Sequence, residues 1–115
     1  MQAHKNSPNW IAINEFGDSK IYVDDASIAQ EGSRQSVLTK YVLIPYGTDR
    51  RNGRAVTEML MHEEYDLNTS CFRIHKIVFT YDNGEVGDPL LTEPTWHPAD
   101  GGMEKALAHL RRRSS

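Results

Sequence analysis

Cysteine is nearly absent: among 115 residues only Cys71 carries a thiol. No intrachain disulfide can form, and metal sites built on two to four thiolates are excluded. Long apolar runs are missing as well. The longest, Trp10-Ile11-Ala12-Ile13 and Tyr41-Val42-Leu43-Ile44, are four residues each, against about 20 for a helix that crosses a bilayer. Nor does one sign of charge dominate. Lys plus Arg is 13 and Asp plus Glu is 16, a net charge of −3. That balance argues against a dedicated nucleic-acid binder. No internal repeat, low-complexity tract, GxSxG elbow or HExxH motif occurs. The first nine residues hold no apolar stretch of the signal-peptide kind. Two origins fit that start: a protein that stays where it is made, or a trimmed mature form begun at an added Met.

What is present suits one modest domain with 38% apolar and 25% charged residues. Residues 1–9 read as a flexible arm, and the domain spans 10–113. Trp10 to Phe16 alternates, Gly17-Asp18-Ser19 supplies turn chemistry, and Lys20-Ile21-Tyr22-Val23 reads as the return strand. Asp24-Asp25-Ala26-Ser27-Ile28 reads as a turn or one helical turn with an aspartate placed to cap it, and Gly32 breaks that segment from the next. Residues 34–46, rich in Val, Leu, Ile and Tyr, predict a long strand ending at Pro45. The loop 47–53 leads into the clearest pattern in the chain. Ala55, Thr57, Met59, Met61, Tyr65 and Leu67 share one face, interrupted by Glu63, while Glu58, His62, Glu64 and Asp66 share the other.

After Asn68-Thr69-Ser70 comes a strand at 71–81. Its first half alternates, and its second half is apolar on both sides, as in a central strand or at a bulge. Asp82-Asn83-Gly84-Glu85 is a hairpin signal, with a short strand from Val86 to Leu91 expected to pair back. Beyond Pro94 and Pro98, Met103, Ala106, Leu107 and Leu110 lie on one side of a helix. Glu104, Lys105, His109 and Arg111 face away from that side, and Arg111-Arg112-Arg113 suits the helix end. The expected fold is α+β: an antiparallel sheet of about six strands with the C-terminal helix packed on it.

Residue types that carry chemistry are thinly spread. Of five histidines, His62 and His75 sit on strands expected to be neighbours, with Glu64 nearby. They are the candidates for a small metal-binding or hydrolytic site, although zinc usually needs three or four convergent ligands. Cys71 and His75 stand about 13 Å apart along one strand, beyond hydrogen-bond reach, so the thiol reads as structural. Glu58, Glu64 and Asp66 alternate as an exposed strand face does. Arg50, Arg51 and Arg54 crowd one loop and are the candidate protein-binding residues, since loops often carry function. Asn68-Thr69-Ser70 matches the glycosylation sequon, which matters only in a eukaryotic secretory pathway.

The order of several pieces resembles one family. NWIAINEFGDSKIYVDDASI, Tyr41 with Leu43 and Pro45-Tyr46, EEYDLNTSCFRI, TYDNGE and EPTWHPADGG follow one another as in the bacterial surface-adhesin protein E-like family. The resemblance covers about residues 10–110. It implies a small non-enzymatic cell-envelope domain without a cofactor. Its expected partner is another protein, a host matrix or envelope component, and neither nucleic acid nor a membrane span is expected. Periplasm or cell surface is the implied location, or the cytoplasm if no leader precedes the chain. Self-association through a strand edge is a further expectation. One departure stands out. Leu67 holds the position where the family pattern has a cysteine paired near the C-terminus, so the resemblance implies a sheet–helix junction held by apolar packing.

Overall fold

The computed structural model describes residues 7–16 and 19–114, with the side chains of 14–16 excepted. Most of the expected N-terminal arm and the Gly17-Asp18 turn lie outside the described residues. The chain runs β1 (Trp10–Phe16), β2 (Ser19–Asp24), a 3-10 turn at Asp25–Ser27, β3 (Ala29–Glu31) and β4 (Arg34–Asp49). It continues through β5 (Arg54–Asp66), β6 (Cys71–Tyr81), β7 (Leu90–Leu91) and β8 (His97–Pro98) to α1 (Gly102–Ser114). The strands form one eight-stranded sheet in the order β1-β2-β4-β5-β6-β7, with β3 on β4 and β8 on β6. Every pairing is antiparallel. The fold is α+β, a sheet packed against one C-terminal helix.

Alternation along β4 and β5 decides which side is wet. Arg34 pairs with Asp66 and Val42 with Glu58, in unbroken register between those ends. Gln35, Val37, Thr39 and Tyr41 therefore point to one face of the sheet with Met61, Glu63 and Tyr65, and all seven are buried. Strand β4 does not stop at Pro45. It bulges outward over 43–46 and rejoins β5 from Gly47 to Asp49. The proline sits in that excursion, where no ladder hydrogen bond is demanded of its nitrogen. Its neighbours Ile44 and Tyr46 are exposed.

The helix covers the buried face at one end. Ala106, Leu107 and Leu110 pack with Val23, Val37, Tyr65 and Phe72, and Leu67 and Met103 close around them. A second cluster, Ile21, Tyr41 and Met61, continues the core along the sheet. Helix and sheet approach closely at Gly102, where an added Cβ would come within 2.5 Å of Ile21 Cδ1. The Leu67 junction is held by more than apolar packing, a correction to the sequence expectation. Arg111 donates to Leu67 O at 2.6 Å and to Ser70 Oγ at 2.7 Å. His109 Nε2 meets Asp25 Oδ1 at 2.7 Å, and Gln35 Nε2 donates to Ser114 Oγ. His109 and Arg111, expected to face water, instead pin the helix to the 3-10 turn and to the β5–β6 turn. Side chains long enough to reach round a helix blur its apparent polar face.

Three local features differ from the sequence expectation. Strands β3 and β8 are three and two residues long, too short for alternation to register. The segment expected to pair back from Val86 to Leu91 does so only at a Thr80–Val86 bridge and at Leu90–Leu91. Glu63, an apparent interruption of the apolar face, keeps the alternation and is buried with its neighbours at 1% exposure.

Candidate functional site

Two places collect the residues singled out in the sequence: the loop between β4 and β5, and the sheet face opposite the helix.

The loop is a knot. Two of its arginines, Arg51 and Arg54, are tied to the molecule rather than offered from it. Asp49, buried at 1% exposure, accepts from Arg51 Nε at 3.1 Å and Nη2 at 3.0 Å, and from Tyr81 Oη at 2.6 Å. These partners, Arg51 foremost, hold its carboxyl well below the usual carboxylate range. Arg51 also reaches Asp88 O at 3.2 Å, joining this turn to the chain beyond β6. Arg54 lies 3.9 Å from the Tyr81 ring centroid and pairs with Glu85 at 2.9 Å and with Asn83 at 3.1 Å. Gly53, at a φ of 75°, gives the turn its left-handed step. Only Arg50 of the three candidates is exposed without a hydrogen bond or ion pair among the described residues.

The opposite sheet face carries the second set. Leu38, Lys40 and Val42 of β4 stand beside Leu60 and His62 of β5 and Lys76 and Val78 of β6. All are half-buried, although the helix lies on the other side. At one margin Lys40 Nζ rests 4.4 Å from the Trp10 ring centroid and 5.4 Å from that of Tyr22. At another, Arg73 and Arg34 both stack on Trp96, at 4.3 and 5.4 Å. Between them lies a cleft of about 410 Å³, bordered by Ser27, Ser36, Leu38, His62 and His75.

A bulge shapes this cleft. The β5–β6 register shifts between His62 and Glu63: His62 faces Lys76 and Glu63 faces Ile74, which leaves His75 as the extra residue. The sequence pattern of β6, alternating and then apolar on both sides, is the trace of that shift. His75 Nε2 lies 3.0 Å from Glu64 Oε1, and Arg73 Nε lies 2.8 Å from the same oxygen. Glu64 is held below its ordinary range, where the hydrogen bonds of His75 and Arg73 outweigh the effect of burial. Burial, and then the nearby Lys76 and His75, push His62 below the usual histidine value. The structure thus unites His75 with Glu64 and brings His62 to the same cleft.

Those three side chains do not make a metal centre: among the described residues no group of three or more His, Cys, Asp or Glu is arranged to hold an ion. Ser27 Oγ is engaged, donating to Asp24 O at 2.7 Å and accepting from Leu38 N at 2.8 Å. Among the described residues no serine hydroxyl is hydrogen-bonded to His62 or His75, the contact that would activate a nucleophile. Cys71 is half-buried at the start of β6, its thiol turned to Thr69 O at 3.6 Å.

One polar cluster was missed altogether. Tyr65 Oη donates to Glu63 Oε1 at 2.9 Å inside the sheet–helix core. Glu63 Oε2, Thr39 Oγ1 and Gln35 Oε1 have no hydrogen-bond partner among the described residues. Burial is the main cause that pushes Glu63 up to about 7, opposed by its polar neighbours Tyr65 and Thr39. The only sequence signal for this cluster is an acidic residue in phase with an apolar face. Comparison of the chain with known protein families, with curated proteins and with solved structures gave no match.

Proposed function

We propose that the protein is a non-enzymatic binding module of the bacterial envelope that engages a protein partner through the sheet face opposite the helix. One observation carries this reading. The helix covers one face only, while the other presents half-buried Leu38, Leu60 and Val78 among Lys40, His62 and Lys76. Apolar side chains rimmed by polar ones are a common composition for a recognition surface. Trp10 and Tyr22, stacked with Lys40 at the margin, add the amphipathic aromatics that interfaces favour. The envelope setting and the protein partner follow from the surface-adhesin protein E-like resemblance of residues 10–110. A protein partner is supported by the chemistry of this face rather than by the arginine loop.

Immobilised matrix and envelope protein fractions, probed with wild type, Leu60→Glu and Arg50→Glu, test the reading. Capture lost in Leu60→Glu and kept in Arg50→Glu supports it. Capture that depends on Arg50 instead would move the surface to the loop. Retention of capture by both variants would remove the open face from the account.

A further inference from the structure

The cleft on the open face has an uneven charge balance that the proposed partner surface does not by itself explain. The acid in its lining is Glu63, whose carboxyl is bonded to Tyr65 in the core, and Glu64 lies beside the cleft with both Arg73 and His75 bonded to one of its oxygens. That pairing consumes the negative charge. His62 and Lys76, directly opposed across β5 and β6, have no acid partner among the described residues. Two more groups lack bonds: the exposed Ser36 hydroxyl on the β4 side, and the far nitrogen of His75. The cleft is large enough for a small group, about 410 Å³, and Leu38 gives it an apolar wall.

We infer that this cleft is an anion subsite that takes a carboxylate or phosphate group of a ligand against His62 and Ser36 of its lining, with Lys76, paired opposite His62, beside it. Lys76 supplies a fixed positive charge, and the His62 ring and Ser36 hydroxyl supply directional donors. An anion suits these groups because charge-assisted hydrogen bonds are the stronger class and the nearby carboxylates are engaged elsewhere, Glu63 with Tyr65 and Glu64 with Arg73 and His75. A neutral amide or sugar hydroxyl would leave the Lys76 charge uncompensated. The groups facing His62 are Lys76 and His75 from β6 and Glu64 from its own strand. From β4 come Ser36, Leu38 and the charged Lys40, diagonal to His62, and from the 3-10 turn comes Ser27, while the buried Glu63 also lines the cleft. With Glu64 already paired, an incoming anion is the group that favours protonated His62. Binding therefore takes up a proton and tightens as pH falls through the histidine range.

This inference rests on the open face as the binding surface, but its test does not require the protein partner. Calorimetric titration of the full chain with inorganic phosphate, and separately with acetate, is run at matched ionic strength at about pH 5.5 and about pH 7.5. Saturable binding by at least one anion is expected, tighter at the lower pH, and the stronger of the two identifies the headgroup chemistry. His62→Gln and Lys76→Gln should each weaken it about three- to tenfold while leaving the circular dichroism spectrum unchanged. The NMR titration of the His62 ring should move to higher pH in the presence of the bound anion. A heat that never saturates, or an affinity unchanged in both variants, would overturn the subsite. Anion binding in a protein whose Leu60→Glu variant still captures its partner would keep the subsite and remove the partner surface.

Discussion

The two faces of the sheet are made by the same three central strands, β4, β5 and β6, and by the same alternation. On the helix side Val37, Tyr65 and Phe72 meet Leu107 and Leu110. Two polar members there are partly spent on the fold: Glu63 Oε1 on Tyr65, and Gln35 Nε2 on Ser114. On the other side Leu38, Leu60 and Val78 are only half-buried, and His62 and Lys76 have no acid partner among the described residues. The β4–β5 loop sharpens the contrast. Arg51 and Arg54 look like an offered basic patch in the sequence, yet Asp49, Glu85 and Tyr81 hold them. A charge count along the chain does not measure availability. What a cation is already bonded to decides that.

The largest expected effect breaks the covered face. Leu110→Ala empties a fully buried site against the sheet and should cost about 2–5 kcal/mol in urea unfolding. Its open-face counterpart Leu60→Ala should cost well under half as much, because Leu60 is half-buried and loses less contact. Equal costs would mean that the two faces are not distinct.

Next comes the pH dependence of the buried Glu63. Its folded value is raised from 4.5 to about 7, so the native state binds the proton more readily than the unfolded chain does. The stabilising contribution is full below about pH 4.5 and is lost as pH rises through about 7. The swing is on the order of 3 kcal/mol, and Glu63→Gln should flatten that part of the pH profile. A profile that keeps its slope in the glutamine variant would assign the effect to another group.

Smaller changes probe the ties. Arg111→Ala removes the contacts to Leu67 O and Ser70 Oγ. It should cost about 1 kcal/mol and speed amide exchange in the last turn of α1 first. Uniform exchange across the helix would contradict a pin at that end. In the loop, Arg50→Glu should change stability by less than about 0.5 kcal/mol. Arg51→Glu should lower the urea midpoint measurably, since it sets a carboxylate against the buried Asp49.

Much of this contrast was legible before the structure. Period-two spacing named both faces of β5 from Met59 to Asp66 but passed over the buried Val56, beyond a register shift at 56–58. Helical spacing placed Ala106, Leu107 and Leu110 inward, and of the two aspartates before the 3-10 turn it is Asp24 that accepts from Ala26 N to cap it. Short-range chemistry sufficed there. The losses came where a side chain's fate depends on distant partners. Arg51 finds Asp49 through a turn and Asp88 from beyond β6, and Arg111 finds Leu67 across the molecule. Glu63 looked like an interruption because hydropathy assigns a carboxylate to water, whereas Tyr65 two residues on gives it an inward partner. The cleft was half legible. His62, His75 and Glu64 were grouped correctly, but the bulge that turns His75 onto Glu64, and so leaves His62 with Lys76, follows from register.

The central claim is that the open face, not the arginine loop, is the part of this protein free to bind. Residue-resolved NMR titration of the full chain with the anion that binds more strongly tests it most directly. The account predicts saturable shifts centred on His62, Lys76 and Ser36, with Arg50, Arg51 and Arg54 unmoved. Shifts that saturate at the three arginines and leave the cleft silent would contradict it.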